Sequence, residues 1–459
     1  MEQIKTRRCI ILGFGGVAKS SIPLIINHKI PISEFIVIDR ITIPENEIKI
    51  FFGNEKVKII NEDYHYEEIC NKMTMLFQDN DIVLDFFGCS ESLEIIKACN
   101  TKNNIIYLNC SLEEYLDRAY PTQYALYKTM YDYREKYKFN GTAVIDAGAN
   151  PGLVTHFSIL GIYHMARDAV KNKVKDYEKI EELLKKKDLA GLAEILEIDA
   201  IHISELEDMI MDNPDEFIKG YTVNSWCIPS FHEEWNVESE VSIGTKDIES
   251  LTKPGFNKIP DSIPDSTTVP YPTYLFTASP KGKFTGRSVR HPETMEISYI
   301  FSNKNHVPTV SFVYHPSDIT LKSLEPKDWE KLPTKLFTEL NCNPLKGSET
   351  MGATLITSRK DIKSRWYGSV LSCEESRRVG CLLNPTTLQV AAGVISHLMI
   401  ALNSPNKGIC MPHDFDSYEI MKIAGPYLGD VVDKDLDFEL SPKWEDLLSN
   451  KDNMNINFT

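Results

Sequence analysis

A glycine-rich turn near the start of the chain constrains its fold most. Residues 8–12, RCIIL, have the pattern of a buried strand, and VAKSSIPLIINH at 17–28 has that of a helix. The turn between them reads Gly13-x-Gly15-x-x-Ala18, a dinucleotide-binding fingerprint with alanine in the last position. The first glycine permits the tight turn, and the second lets the backbone approach a pyrophosphate at the helix N-terminus. The sequence therefore predicts a strand, turn and helix that bind a dinucleotide.

The predicted cofactor contacts extend to the ends of neighbouring strands. Asp39 ends the next apolar run, EFIVIDR, where a carboxylate can accept hydrogen bonds from a ribose 2′-hydroxyl and would repel a 2′-phosphate. This favours NAD over NADP. DFFGCSES and DAGANPG follow later predicted strands, although each also fits an ordinary structural turn. The predicted cofactor-binding residues are Gly13, Gly15, Gly16, Val17, Ala18, Asp39, Asp85, Gly88, Ser90 and Asn150.

The alternation of strand and helix patterns predicts an α/β fold in three parts. Residues 1–149 should form a doubly wound, Rossmann-type parallel sheet. Residues 150–385 have shorter strand patterns and should form an α+β domain with a mostly antiparallel sheet. Residues 386–459 should form a helical segment that packs back on the first domain. Within the second part we expect helices at 153–172 and 177–196, and strands at 199–205, 220–226, 294–301 and 309–315.

Composition limits the partners of the chain. Its 66 acidic residues exceed its 50 basic residues, and the formal charge of -16 disfavours nucleic acid and anionic lipid while attracting small cations. The ten cysteines show no C-x-x-C spacing, so we predict reduced thiols and no metal site. Arg7 and Arg8 precede an apolar run too short for a secretory signal or a membrane span. We predict a cytoplasmic protein.

The stretch NSWCIPSFHEEW at 224–235 places Trp226 near two glutamates, and Pro229 prevents it from forming one helix. When a tryptophan and two glutamates occur in isolation, the tryptophan usually belongs to the core and the glutamates to the surface. However, the net charge points to a cationic ligand, and an indole face attracts a desolvated ammonium by roughly 2 kcal/mol. Further acids occur in the same part of the chain at Glu205, Glu293 and Glu349. Glu113 follows the strand pattern NIIYLNCS.

Several linked segments are similar to one enzyme family. GANPGLVTHF, VNSWCIPSFHEEW, VRHPETMEIS, PTVSFVYHPSD, RWYGSVLS and NPTTLQVAAGV with NSPNKGI resemble the bacterial-type homospermidine synthases of the saccharopine dehydrogenase-like group. The resemblance implies NAD-dependent coupling of two putrescines, or of spermidine and putrescine, to homospermidine with release of ammonia. An amine is oxidised to an imine, a second amine displaces ammonia, and the new imine is reduced. It also implies a homodimer.

The resemblance implies roles for particular residues. The catalytic residues would be Trp226, Glu234, Glu113 and Asn150, and the substrate-binding residues Glu205, His291, Glu293 and Glu349. The chain departs from the family where Pro229, Ser230 and His232 replace a glutamate, a glycine and a tyrosine. This departure leaves the amine preference open.

Two other functions fit the same fold. A carboxyspermidine- or saccharopine-type dehydrogenase would couple an amine reductively to a carbonyl compound, and it would need a fixed cation such as Arg287 or Arg290 for a carboxylate. A protein that senses NAD without chemistry is the third possibility. The segment 251–273 contains five prolines, and we expect it to be a lid or a dimer arm that excludes water from the site.

Overall fold

The computed structural model describes residues 6–438 except 65, 88–90, 113–121, 253, 261, 263, 270, 271 and 343. The strands are β1 (Arg7–Leu12), β2 (Ile32–Asp39), β3 (Val57–Asn61), β4 (Ile82–Asp85), β5 (Ile105–Asn109), β6 (Gly141–Val144), β7 (Ile198–Glu207), β8 (Thr222–Asn224), β9 (Ser239–Ser242), β10 (Asn257–Lys258), β11 (Ser266–Val269), β12 (Tyr274–Ser279), β13 (Gly282–Val289), β14 (Thr309–His315), β15 (Thr334–Leu336), β16 (Ser348–Thr357), β17 (Ser364–Ser372), β18 (Gly408–Cys410) and β19 (Asp430–Leu436). The helices are α1 (Gly16–Asn27), α2 (Glu45–Phe52), α3 (Tyr66–Leu76), α4 (Ser92–Cys99), α5 (Gln123–Lys136), α6 (Leu153–Lys171), α7 (Tyr177–Lys186), α8 (Leu189–Ile195), α9 (Pro214–Ile218), α10 (Ile228–Asn236), α11 (Glu293–Phe301), α12 (Asp318–Ser323), α13 (Cys373–Arg378), α14 (Pro385–Asn403) and α15 (Ser417–Ala424).

The first sheet is parallel and has the order β18-β6-β5-β4-β1-β2-β3. Its strands are apolar on both faces because helices cover both. Cys9 and Ile11 of β1 face the core shared with α1 and α14, whereas Ile10 and Leu12 face the core shared with α3, α4 and α5. The predicted Rossmann-type sheet is confirmed, and its strand order reverses between β1 and β4.

Gly13 lies at this reversal point. Its φ is +88°, and a Cβ on Gly13 would lie 2.8 Å from the carbonyl oxygen of Phe86 after β4. The backbone is therefore too close for any side chain at this position. By contrast, a Cβ on Gly15 would have no heavy atom within 4 Å, so the loop is open there.

The second sheet has the path β10-β11-β9-β14-β7-β16-β17-β19, and β12 and β13 form a hairpin that joins it at β14. The contact between β14 and β7 is parallel and the other pairs are antiparallel. The predicted mostly antiparallel sheet is confirmed. β10 and β11 come from the proline-rich segment 251–273, so part of that segment forms an edge of this sheet.

The prediction of a strand at 294–301 is wrong, because these residues form α11. Their apolar residues alternate, but in a short segment that is buried nearly all round this pattern cannot distinguish a strand from a helix. Glu293 and Glu296 lie in the first turn, where the helix dipole favours acids. The predicted single helix at 177–196 is also wrong. Lys187 has a left-handed φ of 55° and ends α7, and Asp188 caps α8.

The segment from residue 386 onwards takes part in both sheets. α14 packs against α1 and also against β16 and β17, so it lies between the two halves of the molecule. β18 extends the first sheet beside β6, and β19 extends the second sheet beside β17. Among the described helices, α14 has the length and apolar composition of a membrane span, but most of it is buried inside the protein.

We predict that Gly13→Ala destabilises the protein whereas Gly15→Ala does not. The new Cβ of Gly13→Ala meets backbone atoms and stands at a positive φ, which should lower the free energy of unfolding by about 1–3 kcal/mol. Gly15→Ala is the matched control, since its Cβ enters open space. Urea unfolding of both variants measures the difference. Equal stability of the two variants would contradict the close approach at Phe86.

Candidate active site

The loop between β1 and α1 has the features of a dinucleotide site. Gly15 is the N-cap residue of α1 and has no side chain. The backbone N–H groups in the first turn of α1 therefore donate no hydrogen bond to an N-cap side chain. The carboxylate of Asp39 accepts hydrogen bonds from the backbone N–H of Phe14 at 2.7 Å and of Ile41 at 2.8 Å. An uncapped helix N-terminus beside an open loop suits a pyrophosphate, and the residues present fit a dinucleotide.

The other predicted cofactor residues lie in different surroundings. Ala18 is fully buried in α1, and Gly16 lets α14 approach, since its Cβ would lie 3.2 Å from Cγ2 of Thr387. Asp85 is buried at the end of β4 and accepts a hydrogen bond from the hydroxyl of Tyr107 at 2.8 Å. Burial raises the pKa of Asp85 to about 7 although this hydrogen bond lowers it. Gly88, Ser90 and Glu113 lie outside the described residues.

A cavity of about 150 Å³ lies between the carboxyl ends of the first sheet and the second sheet. The first half supplies residues at the start of α1, after β5 and after β6, and the second half supplies residues of β7, β14 and α10. The N-terminal part of α14 closes one side. The lining residues are Val17, Cys110, Ser111, Gly148, Ala149, Asn150, Pro151, Glu205, Trp226, Cys227, Ser230, Glu234, His291, Phe312, Tyr314, Thr386 and Val390.

Trp226 is half-buried in the wall of this cavity. It lies between β8 and α10, and Pro229 stands in the first turn of α10, where proline is well tolerated. The indole Nε1–H donates a hydrogen bond to the hydroxyl of Tyr314 at 3.1 Å, and the ring stands edge-on to Phe231 at 6.0 Å. These contacts fix the orientation of the indole at the cavity.

His291 lies between two carboxylates. Its Nδ1 is hydrogen-bonded to Glu293, which is fully buried, and its Nε2 lies 3.6 Å from Oε1 of Glu234. Burial lowers the pKa of His291, but the charges of Glu293 and Glu234 outweigh this effect and hold the pKa well above its ordinary value. The two carboxylates therefore favour the protonated form of the imidazole, which lies beside Glu234 at the cavity.

Three buried glutamates form a cluster at the floor of the cavity, and Glu205 is the one that lines it. Glu205 and Glu207 lie on β7 and Glu349 lies opposite on β16, with carboxylate oxygens within 4.8 Å of one another. Asn150 donates a 2.5 Å hydrogen bond to Glu205, and Thr386 lies 3.3 Å from Glu207 and 3.2 Å from Glu349. Such a set of oxygens suits a cation, either a metal ion or an ammonium group.

Burial and mutual repulsion disfavour the charged forms of these carboxyl groups. Burial raises the pKa values of Glu205, Glu207 and Glu349, and mutual repulsion raises those of Glu205 and Glu349 further. Oε1 of Glu349 is buried and has no hydrogen-bond partner among the described residues. Protons or a bound cation must therefore reduce the charge of the cluster.

The structure brings most of the predicted site residues together. Asn150, Glu205, Trp226, Glu234, His291 and Val17 line the cavity, and Glu293 and Glu349 lie directly behind it. The sequence reasoning missed Glu207, Phe312, Tyr314 and Thr386. Glu207 could have been predicted from the sequence. Residues two apart on a strand share a face, and the stretch SELE places Glu207 on the same face as Glu205. Tyr314 and Thr386 reach the site only through the packing of β14 and α14.

The fold and the site together define a dinucleotide-binding, Rossmann-type protein with a second domain that completes an acidic cavity. Residues 9–145 match the family described as saccharopine dehydrogenase NADP binding domain.

The homospermidine synthase of Blastochloris viridis is 26% identical over 465 residues, which cover 92% of this chain and 90% of that protein. The homospermidine synthase of Mesorhizobium japonicum is 24% identical over 462 residues, with coverage of 92% and 89%. The crystal structure of the homospermidine synthase from Legionella pneumophila in complex with NAD aligns with a TM-score of 0.80 and 26% identity, covering 95% of this chain and 92% of that one. The chain thus resembles homospermidine synthases over nearly its whole length, and the predicted resemblance is confirmed.

We predict that Glu349→Gln stabilises the protein increasingly as pH rises from about 5 to 8. A carboxyl with a raised folded-state pKa keeps a proton that the unfolded chain releases above its ordinary value of 4.5. Its contribution to stability is complete below that value and is lost as pH rises through the folded-state pKa. A glutamine at this position cannot ionise, so the variant avoids this loss of stability. Thermal unfolding of Glu349→Gln, the wild type and the exposed control Glu216→Gln across this range measures the effect. A stability difference between Glu349→Gln and the wild type that does not change with pH would contradict it.

Proposed function

We propose that the chain is an NAD-dependent homospermidine synthase, which couples two putrescines, or spermidine and putrescine, with release of ammonia. One observation carries the proposal: the cavity where Trp226 and the carboxylates of Glu205 and Glu234 meet also borders Val17 and the loop after β6, at the end of the dinucleotide fold. A polyamine bound there contacts anionic and aromatic groups beside the cofactor. Extensive similarity to three homospermidine synthases supports it.

The cofactor is NAD, held by Gly13 to Ala18 and by Asp39. The Asp39 carboxylate already accepts two backbone hydrogen bonds and would repel the additional phosphate of NADP. When bound, NAD would accept a hydride from the first diamine and return it to the coupled imine, with no net change. The Legionella pneumophila relative was crystallised with NAD, which supports this choice.

The chain supplies the acid and base chemistry that a diamine needs. Putrescine at neutral pH is a dication, and a hydride can leave only from a carbon whose nitrogen has a lone pair, so one ammonium must lose a proton in the cavity. Glu234 is placed to accept this proton. Its carboxylate lies beside Nε2 of His291, and the other ring nitrogen of His291 is hydrogen-bonded to Glu293. The cationic imidazole then stabilises the site while the proton moves.

The opposite end of the diamine stays charged and needs an anchor. The Glu205, Glu207 and Glu349 cluster supplies one, with Asn150 fixing the Glu205 carboxylate that faces the cavity. An ammonium bound there neutralises part of the buried charge, so binding the substrate relieves the repulsion described above. Trp226 offers its π face to the iminium carbon without acting as a base or a nucleophile. The chemistry therefore needs a free amine at the reacting end of the substrate and an ammonium at the other end, which a polyamine provides.

The position of the arginines argues against a carboxylate substrate. Arg287 is buried with its guanidinium 4.4 Å from the ring of Trp235, and Arg290 is also buried. Neither is among the cavity-lining residues in the part of the chain that the structure describes. A carboxyspermidine- or saccharopine-type reaction would need such a cation in the cavity. A protein that only senses NAD would have no use for the acidic cluster.

The homodimer and the cytoplasmic location remain predictions from the sequence and its resemblance. The lid or arm role of residues 251–273 is likewise a prediction, and it would supply the water exclusion that an imine requires. Part of that segment pairs with β9 at the edge of the second sheet, and Glu240 of β9 accepts hydrogen bonds from the backbone N–H groups of Gln123 and Tyr124 at the start of α5.

We predict that the protein incubated with NAD and putrescine alone forms homospermidine and ammonia in equal amounts. NADH absorbance should not rise steadily, because the reduced cofactor is reoxidised in each cycle. Mass spectrometry of the product, an ammonia assay and absorbance at the NADH band measure the three quantities together. Continuous stoichiometric production of NADH, or consumption of NADPH with a keto acid, would contradict the proposal.

We predict that Trp226→Ala lowers kcat/KM for putrescine by roughly thirtyfold, the equivalent of about 2 kcal/mol of cation–π stabilisation. NAD binding and the melting temperature should change little, since the indole is half-buried. Trp226→Phe should retain part of the activity. Tyr314→Phe tests the orientation of the indole separately, because it removes the hydrogen bond to the indole and keeps the aromatic wall. If Trp226 were a residue of the hydrophobic core, Trp226→Ala would instead lower the free energy of unfolding by about 3–5 kcal/mol.

A further inference from the structure

The three buried glutamates of the cluster differ in what surrounds them. Glu205 is the member that lines the cavity, where a substrate ammonium can reach it. Glu207 and Glu349 are direct cross-strand partners on β7 and β16 and are buried, and neither is among the cavity-lining residues that the structure describes. A diamine in the cavity therefore contacts Glu205 rather than the other two, whose charge needs a different compensation.

Hydrogen-bond donors surround Glu207. Its Oε1 accepts a hydrogen bond from the hydroxyl of Ser225 and lies 3.3 Å from Oγ1 of Thr386. Its Oε2 accepts a hydrogen bond of 3.2 Å from the backbone N–H of Ser317. Burial raises the pKa of Glu207, and these hydrogen bonds oppose that effect. A carboxylate that accepts several hydrogen bonds is stabilised in its charged form, so this environment suits an anion.

Glu349 has different surroundings. Its Oε2 lies 3.2 Å from Oγ1 of Thr386, and its Oε1 is buried without a hydrogen-bond partner among the described residues. Burial raises the pKa of Glu349 well above its ordinary value. The acids Glu205, Glu207 and Asp208 raise it further, whereas the threonine hydroxyl lowers it. A charged Glu349 would place an anionic oxygen without a protein donor beside other acids, so these surroundings favour a neutral carboxylic acid.

The hydroxyl of Thr386 stands between the two acids. Thr386 lies in the first turn of α14, and Oγ1 contacts Oε1 of Glu207 on one side and Oε2 of Glu349 on the other. A hydroxyl has one hydrogen to donate, and its lone pairs accept. If both acids were charged, this hydrogen would be shared between two anions that repel each other. If Glu349 carries a proton, its O–H donates to Thr386 and the threonine O–H donates to Glu207.

We propose that Glu349 is a neutral positioning residue and not a charged contact of the substrate, an inference that rests on the proposed function. Its carboxylic acid group acts through Thr386 to hold the Glu207 carboxylate in place. The charge of Glu207 then lies directly behind Glu205, which meets the distal ammonium of the diamine. Each buried acid has its own compensation: an ammonium for Glu205, hydrogen bonds for Glu207 and a proton for Glu349.

The first test makes the same substitution at two neighbouring positions. Glu207→Gln removes a buried charge, and we expect KM for putrescine in homospermidine formation to rise at least about thirtyfold. Glu349→Gln should raise KM only about threefold, because the amide keeps a neutral donor towards Thr386. Glu349→Leu, which has a side chain of similar size but no donor, should raise KM on the order of tenfold.

Infrared spectroscopy measures the proton of Glu349 directly. In difference spectra against the wild type at about pH 7, with NAD and without substrate, Glu349→Gln should lose a carboxylic acid C=O band and Glu207→Gln a carboxylate band. Thr386→Val should shift the acid band, and Thr386→Ser, which keeps the hydroxyl, should not. A purely structural role of Glu349 would not decide which band disappears. The Thr386 pair also keeps the test usable where Glu349→Leu does not fold.

Two results would overturn the proposal. One is a rise in KM for Glu349→Gln equal to that for Glu207→Gln, which would mean that the substrate needs the charge of Glu349. The other is the loss of a carboxylate band in place of an acid band in Glu349→Gln. Failure of the proposed function is seen separately, because the wild-type protein would then form no homospermidine from putrescine, whereas the infrared result does not depend on the substrate.

Discussion

The burial of like charges is the constraint on which the rest of the structure depends. Glu205, Glu207 and Glu349 lie side by side on β7 and β16, and in the described part of the chain none of them is paired with a lysine or arginine. Isolated buried carboxylates are costly, and in the proposed function a bound ammonium offsets this cost. The hydrogen bonds from Asn150, Ser225 and Thr386 hold the oxygens in place. These hydrogen bonds thus fix the geometry of the cluster.

The junction of the two sheets places this charge where it can be used. α14 packs on α1 and on the second sheet, and its first turn brings Thr386 to the glutamates while Gly16 permits the close approach of Thr387. The loop after β6 brings Asn150 from the first domain to Glu205 in the second. The dinucleotide loop and the acidic cluster therefore share one cavity, which neither half forms alone. The proposed reaction, which removes a hydride from a bound polyamine and returns it, needs the cofactor and the acids in one cavity.

His291 lies between the cavity and a second group of buried acids. His291 contacts Glu234 on one side and Glu293 on the other, so it separates the substrate cavity from the acids along α11. The two groups differ in their surroundings: Glu205 and Glu234 line the cavity, whereas Glu296 contacts the partly exposed His413.

The sequence by itself determined the dinucleotide fold, since the turn of Gly13 and Gly15, the strand periods and Asp39 are local features whose geometry follows from a few adjacent residues. Its motifs also identified Trp226, Glu234 and His291 through their resemblance to a known family. The sequence did not determine that 294–301 is a helix. The segment is buried on nearly all sides, so its hydrophobic pattern lacks the periodicity that distinguishes a helix from a strand. Only the tertiary structure decided which acids converge. Glu205 and Glu349 are far apart in the chain and become neighbours because β7 pairs with β16, and long-range pairing leaves no trace in local spacing.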